Sequence, residues 1–113
     1  MSNPIHDRTD YSKASFTEDQ AGNDPIALFG HWLEHAQQAG VPEPHAVALA
    51  TAGSLTISCR IVLLRSFDAQ GFVFYSNYNS RKAMDLERDP RAALTFFWPQ
   101  VERQVRIEGK VEL

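Results

Sequence analysis

The sequence has very little cysteine. Cys59 is the only one among 113 residues, so an internal disulfide is impossible and two-cysteine metal motifs are excluded. A reducing, cytoplasmic setting is the simplest expectation. Long apolar runs are also missing: nothing approaches the roughly 18 residues that a membrane-spanning helix needs. The opening stretch MSNPIHDRTDYSK is polar and has no signal-peptide core. There is no large excess of one charge. The net charge is -3, with residues 1–59 at -5 and residues 60–113 at +2 (two basic against seven acidic, then nine against seven). A nucleic-acid surface is not expected from so weak a basic bias, whereas a small anion such as a phosphate ester would suit the second half. No G-x-G-x-x-G or Walker loop occurs, and no nucleophilic triad or carboxylate pair stands out. Any demanding chemistry would have to come from a cofactor.

What is present fits one domain. Hydrophobic residues make up 43% and aromatics 11%, enough for a modest core that buries roughly 65% of the unfolded surface. Residues 1–23 are polar and aperiodic and read as a mobile arm, leaving 24–113 as the folded domain. Asp24 and Pro25 mark a helix start, and Ile26, Phe29, Leu33 and Ala36 recur at helical spacing with Trp32 beside them. Gly40, Pro42 and Pro44 end the helix, which is expected over about 25–39. His31 and His35 lie one turn apart, but without a third ligand they read as exposed helix histidines rather than a metal site.

From position 45 the pattern is that of strands, at 45–51, 57–65 and 72–76. The run ISCRIVLLR is nearly continuous, as in a strand covered on both faces. A short helix is expected over 80–88, closed by Asp89-Pro90, then strands at 91–98 and 101–113. In the last of these Val101, Val105, Ile107, Val111 and Leu113 alternate with Glu102, Gln104, Arg106, Glu108, Lys110 and Glu112. Short connections imply antiparallel hairpins in a barrel or strongly coiled sheet with flanking helices; a doubly wound parallel sheet is not expected.

Three features bear on chemistry. The segment FYSNYNSRKA (74–83) runs from a strand into a helix N-terminus, where Ser80, Arg81 and Lys82 would meet a phosphate; a capped helix with two solvated cations is the plain alternative. Arg60 and Arg65 bracket IVLL on opposite faces, either at solvated strand ends or reaching a ligand. Gln104 offers both donor and acceptor beside Arg106, which suits a heteroaromatic ring edge or plain solvent.

Taken together, RIVLLR (60–65), FYSN (74–77), SRKA (80–83), FFW (96–98) and ERQVRIEGKVE (102–112) resemble the pyridoxamine 5′-phosphate oxidase family in order and spacing. RTDY (8–11) and DPIALFGHWL (24–33) extend that resemblance over nearly the whole chain, as the family's N-terminal half. It implies a mainly antiparallel split β-barrel that binds FMN at a homodimer interface. The implied reaction oxidises pyridoxamine or pyridoxine 5′-phosphate to pyridoxal 5′-phosphate, with O2 as acceptor. By the same resemblance Arg60, Ile61, Val62, Leu63 and Leu64 line the flavin, and Tyr75 and Ser76 contact it. Arg81 and Lys82 hold its phosphate, and Gln104 meets its ring. Arg8 and Tyr11 cover the substrate, and Arg65 takes a substrate-phosphate position.

The sequence departs from the family in three places. Arg65 stands where lysine is usual, which changes the shape of the cation. The connection AGSLTIS (52–58) lacks the usual Asp/Gly-type turn. The family also continues for about as long again beyond the position of Leu113, with further flavin and substrate ligands and the last barrel strands. A fragment or a natural short form is therefore expected, with sheet edges that favour oligomerisation. Alternatives to a B6 oxidase are a flavin carrier or reductase, a phenazine-pathway oxidase, and an inactive dimerisation domain.

Overall fold

The computed structural model describes residues 24–53, 56–75 and 81–112; within these, the side chains at 81–83 and 85 lie outside the description. The expected arm at 1–23, including Arg8 and Tyr11, falls outside the described residues, as do Ser76 and Ser80.

Helix α1 (Pro25–Gln38) starts and stops for the reasons its sequence suggests. Asp24 accepts from the Ile26 and Ala27 N–H groups at 3.0 and 3.1 Å, and Pro25 occupies the first turn. At the other end Gly40 adopts φ 77°, Gly40 N–H donates to Gln37 O and Val41 N–H to Ala36 O. This reciprocal pair, with Val41 buried, is a Schellman closure.

Five strands follow: β1 (Ala46–Ala52), β2 (Ile57–Asp68), β3 (Gly71–Phe74), β4 (Arg91–Trp98) and β5 (Arg103–Lys110), with α2 (Arg81–Arg88) between β3 and β4. They form one antiparallel sheet in the order β3-β2-β1-β4-β5, curled into a half-barrel. β1–β2, β2–β3 and β4–β5 pair as hairpins, while the segment that contains α2 carries the chain from β3 to β4, which pairs with β1. Among the described residues, no helix is long and apolar enough to cross a membrane.

Two expectations need correction. The last strand begins at Arg103 rather than 101, because Pro99–Val101 form a 3-10 turn and Glu102 takes a left-handed conformation (φ 57°). The first residue of a proline-initiated turn has no N–H for a ladder. Strand β2 runs on to Asp68, beyond the expected Arg65, but only one of its faces is covered among the described residues.

The core lies between α1 and the inward face of the sheet. Phe29, Leu33 and Ala36 meet Val47 and Leu49 of β1, Val62 and Leu64 of β2, and Leu94, Phe96 and Trp98 of β4. Phe29 is the hub: its ring centroid lies 5.0 Å from those of Phe67, Phe72 and Phe96 and 5.8 Å from Trp98. The Phe67 and Phe72 contacts are edge-on, the arrangement the ring quadrupole favours. Trp98 satisfies its indole N–H on Pro44 O at 2.9 Å. At the far end of the sheet, Arg91 grips Asp89 through its guanidinium at 2.6 Å, and this hydrogen bonding holds the Asp89 carboxyl down at about 2.

Phe29→Ala is expected to lower the unfolding free energy by about 3–5 kcal/mol. Asp24→Ala removes only the cap and should cost about 1 kcal/mol. Urea denaturation followed by tryptophan fluorescence reads both, and equal losses would contradict the central position of Phe29.

Candidate functional site

Strand β2 divides its residues by alternation, so the run Arg60–Leu64 does not face one way. Val62 and Leu64 are buried in the core, whereas Ile61 and Leu63 point outward and are 66% and 52% exposed. Arg60 shares the inward side. Its guanidinium donates to Thr51 Oγ1 at 2.9 Å and to Leu49 O at 3.3 Å, which ties it to β1. Among the described residues, β3 pairs with β2 only from Leu64 onward, so no described strand covers the outer edge of Ile57–Leu63. Backbone groups along such an edge are available to a ring with its own donors and acceptors.

A bulge then re-aims the strand. Leu64 pairs with Phe74 and Ser66 with Val73, leaving Arg65 without an opposite residue. Arg65 and Ser66 are both exposed, and Phe67 turns back to the core. The extra residue explains how a strand can present Leu63 and Arg65 outward and still deliver Phe67 to Phe29. Arg65 lies over the Tyr75 ring, 4.7 Å from its centroid, and Tyr75 is itself 70% exposed. A cation on an exposed ring gains about 0.5–1 kcal/mol and keeps the guanidinium edge available.

The outward face carries small side chains in its middle. Ala46 and Ala48 of β1 stand opposite Leu63 and Ile61. Beyond them come Thr95 and Phe97 of β4, then Arg106 and Gln104 of β5. The alanines leave a shallow apolar bed between the larger residues of β2 and β4. A flat ring suits such a bed better than a bulky chain does. Gln104 is exposed, but β1 and β4 separate it from β2, about 14 Å across the sheet at ordinary strand spacing. On this sheet, Gln104 is therefore not brought together with Ile61, Leu63, Arg65 and Tyr75. Arg81 and Lys82 begin α2 as expected, but their side chains lie outside the described residues.

Sequence reasoning missed Glu43 and His45. Together with Leu63, Leu64 and Arg65 they line an open groove of about 420 Å³ at the end of β1 and β2. Leu64 N–H donates to His45 O at 2.9 Å, holding the two chains together at the groove floor. Glu43 has φ 44°, a strained value for a side chain of this size, and its carbonyl accepts from Ala46 N–H at 2.9 Å. The only sequence signal was Glu-Pro ahead of a strand, which marks a turn but not its handedness.

Of the two histidines on α1, His35 has a partner on β5. Arg103 donates to His35 Nδ1 at 3.0 Å and stacks 4.5 Å from the Trp32 centroid. Partial burial there pulls the Arg103 guanidinium below its usual value. No group of three potential metal ligands occurs among the described residues.

A family model described as pyridoxamine 5′-phosphate oxidase matches residues 33–113. The pyridoxine/pyridoxamine 5′-phosphate oxidase of Rubrobacter xylanophilus is 52% identical over 90% of this chain and 48% of its own length. That of Bordetella avium is 54% identical over 93% of this chain and 50% of its own. The chain thus spans about half the length of these curated relatives. Among solved structures, PhzG from Burkholderia lata, in complex with tetrahydrophenazine-1-carboxylic acid, superposes with a TM-score of 0.81 at 35% identity, covering 87% of this chain and 50% of that one. A pyridoxamine 5′-phosphate oxidase-related, FMN-binding protein from Nostoc punctiforme shares the fold at 21% identity and a TM-score of 0.67, over 74% of this chain and 44% of its own. The expected split-barrel class is borne out.

Adjacent residues of β2 should respond oppositely to truncation. Leu64→Ala is expected to cost about 2–5 kcal/mol of stability, while Arg65→Ala should cost no more than about 1 kcal/mol. Urea melts of the two variants decide this, and a large loss at Arg65 would show that it is part of the core.

Proposed function

This chain belongs to the pyridoxamine 5′-phosphate oxidase family, and on that premise we propose that it forms the FMN-binding part of an oxidase of pyridoxamine or pyridoxine 5′-phosphate. The observation that carries the reading is the outward face of the sheet: Ile61 and Leu63 exposed beside an alanine bed, with Arg65 and Tyr75 at its rim.

The residues present fit the cofactor. A flat, partly apolar ring matches the bed formed by Ile61, Leu63, Ala46 and Ala48. Its polar edge matches the uncovered backbone of β2 between Ile57 and Leu63, while Val62 and Leu64 hold the strand in place through side chains committed to the core. Arg60, held by Thr51, steadies the strand from the inner side. Arg81 and Lys82 are assigned to the FMN phosphate, and Tyr75 and Ser76 to contacts with the flavin. Gln104 meets the ring from a second copy of the chain, which removes the conflict posed by its distance from β2. A homodimer with the cofactor at its interface follows from this assignment, in a cytoplasmic setting.

FMN, when bound, would supply the redox chemistry, as acceptor of hydride from the substrate and donor of electrons to O2. The chain's own residues bind and orient. Arg65 draws the substrate phosphate to the rim, Arg8 and Tyr11 close over the substrate, and the apolar bed excludes water from the reacting face.

The likeness to PhzG, together with Arg65 in place of the usual lysine, supports a second reading in which the same cofactor bed serves a different ring substrate. The two readings part on the phosphate. Saturable binding of pyridoxamine 5′-phosphate by the FMN-loaded protein favours the first, and binding of a phenazine carboxylate alone favours the second.

Replacing Arg81 and Lys82 together by alanine is expected to weaken FMN binding at least about tenfold, since each charge-assisted hydrogen bond is worth about 1.5–3 kcal/mol. Riboflavin, which lacks the phosphate, should bind nearly as before. Fluorescence-quenching titrations with both flavins make the comparison, and equal losses would refute the phosphate assignment.

A further inference from the structure

The inward side of β5 carries a charged residue at its start. Val101, just before the strand, is buried, and Val105 and Ile107 pack against the core. Arg103 takes the inward position between them, where an apolar side chain would be the ordinary choice. Its guanidinium lies over the Trp32 ring, 4.5 Å from the centroid, and donates to His35 Nδ1 at 3.0 Å. A guanidinium only donates, so His35 Nδ1 accepts and the ring hydrogen sits on Nε2. A long, rotamer-rich side chain is thereby held at two points on α1.

Gln104 is the next residue. Alternation turns its side chain to the outward face, opposite Phe97 of β4. It is the second residue of its strand, and β5 is the last strand of the sheet. Among the described residues its backbone is therefore paired on one edge only. Strand ends held in this way open most readily. The chain also enters this end through the Pro99–Val101 turn and the left-handed Glu102 (φ 57°). Seating Arg103 on Trp32 and His35 fixes the strand where it leaves that turn. With it is fixed the direction in which Gln104 leaves the sheet.

Resting on the assignment of Gln104 to the flavin ring made above, we propose that Arg103 is a positioning residue for that contact, with Trp32 and His35 as its anchor. It touches neither flavin nor substrate and acts through Gln104 from the opposite side of the sheet. His35, on the helix side, thereby bears on flavin affinity although the sheet lies between. A packing role alone would be met by an apolar side chain of similar length, and exchanging a partly buried charge for such a chain is often neutral or stabilising. Positioning and packing therefore part at Arg103→Met, which keeps the fold and loosens the flavin.

The test uses the whole chain and FMN, with dissociation constants from fluorescence quenching and the visible absorbance band of the bound flavin as a second readout. Arg103→Met, His35→Ala and Gln104→Ala are made singly, and the first two are also combined with Gln104→Ala. Gln104→Ala is expected to weaken FMN about fivefold, the loss of one neutral hydrogen bond. Arg103→Met should weaken it about threefold and His35→Ala about twofold, each moving the flavin band toward that of Gln104→Ala. In the Gln104→Ala background the same two changes should weaken it less than about 1.3-fold, because the residue they act through is gone. The melting temperature of Arg103→Met should stay within about 4 °C of the wild type. If Arg103→Met does not fold, His35→Ala carries the comparison from an exposed position on α1. Equal losses in both backgrounds, or no loss from either change while Gln104→Ala still weakens FMN, overturn the role of Arg103 and leave the flavin reading standing. FMN binding that Gln104→Ala leaves unchanged overturns the assignment of Gln104 and the role of Arg103 together. A folded wild type that binds no FMN overturns the oxidase reading as well.

Discussion

Phe29 touches four aromatic rings, and that contact decides which face of the sheet is core. Once α1 is seated against Phe67, Phe72, Phe96 and Trp98, the inward apolar residues of β1, β2 and β4 are committed to packing. The other face is left for something else. Alternation in β2 then exports Ile61 and Leu63, while a single bulge exports Arg65 and returns Phe67 to the hub. The core and the candidate site are therefore two sides of one strand, and neither can shift register without disturbing the other.

In the proposed function the outward face serves as a ligand bed. Large aliphatic side chains are exposed next to a row of alanines, and a braced cation stands at the rim. In the proposed function this face meets the apolar area and the polar edge of a flavin ring, and the flavin's phosphate is assigned to Arg81 and Lys82. The separation of Gln104 from β2 makes a two-copy site the economical arrangement, because one sheet does not bring both sets of groups to one ring. In that arrangement, dimerisation is part of building the site and is not an independent property.

Much of the fold was legible because its signals were local. The Asp24 cap, the helical spacing of Phe29, Leu33 and Ala36, and the alternation of Val105 and Ile107 against Gln104 and Arg106 each depend on near neighbours in sequence. The order of antiparallel strands and the split-barrel class followed from these and from the family resemblance. What the sequence hid was non-local. The bulge at Arg65 depends on pairing with β3, and the 3-10 turn at Pro99–Val101 interrupts an alternation that keeps its phase through it. The run IVLL read as covered on both faces because hydrophobicity records that a residue will be covered, not by what. Glu43 and His45 were invisible as site residues because only the sheet edge brings them beside Arg65.

The central claim is that the outward face of this sheet holds a flavin. A fluorescence titration of FMN with the purified 113-residue chain tests it most directly. The account predicts saturable quenching at micromolar concentration, diminished when Ile61 is replaced by glutamate. A folded chain that leaves FMN fluorescence unchanged throughout the titration would contradict it.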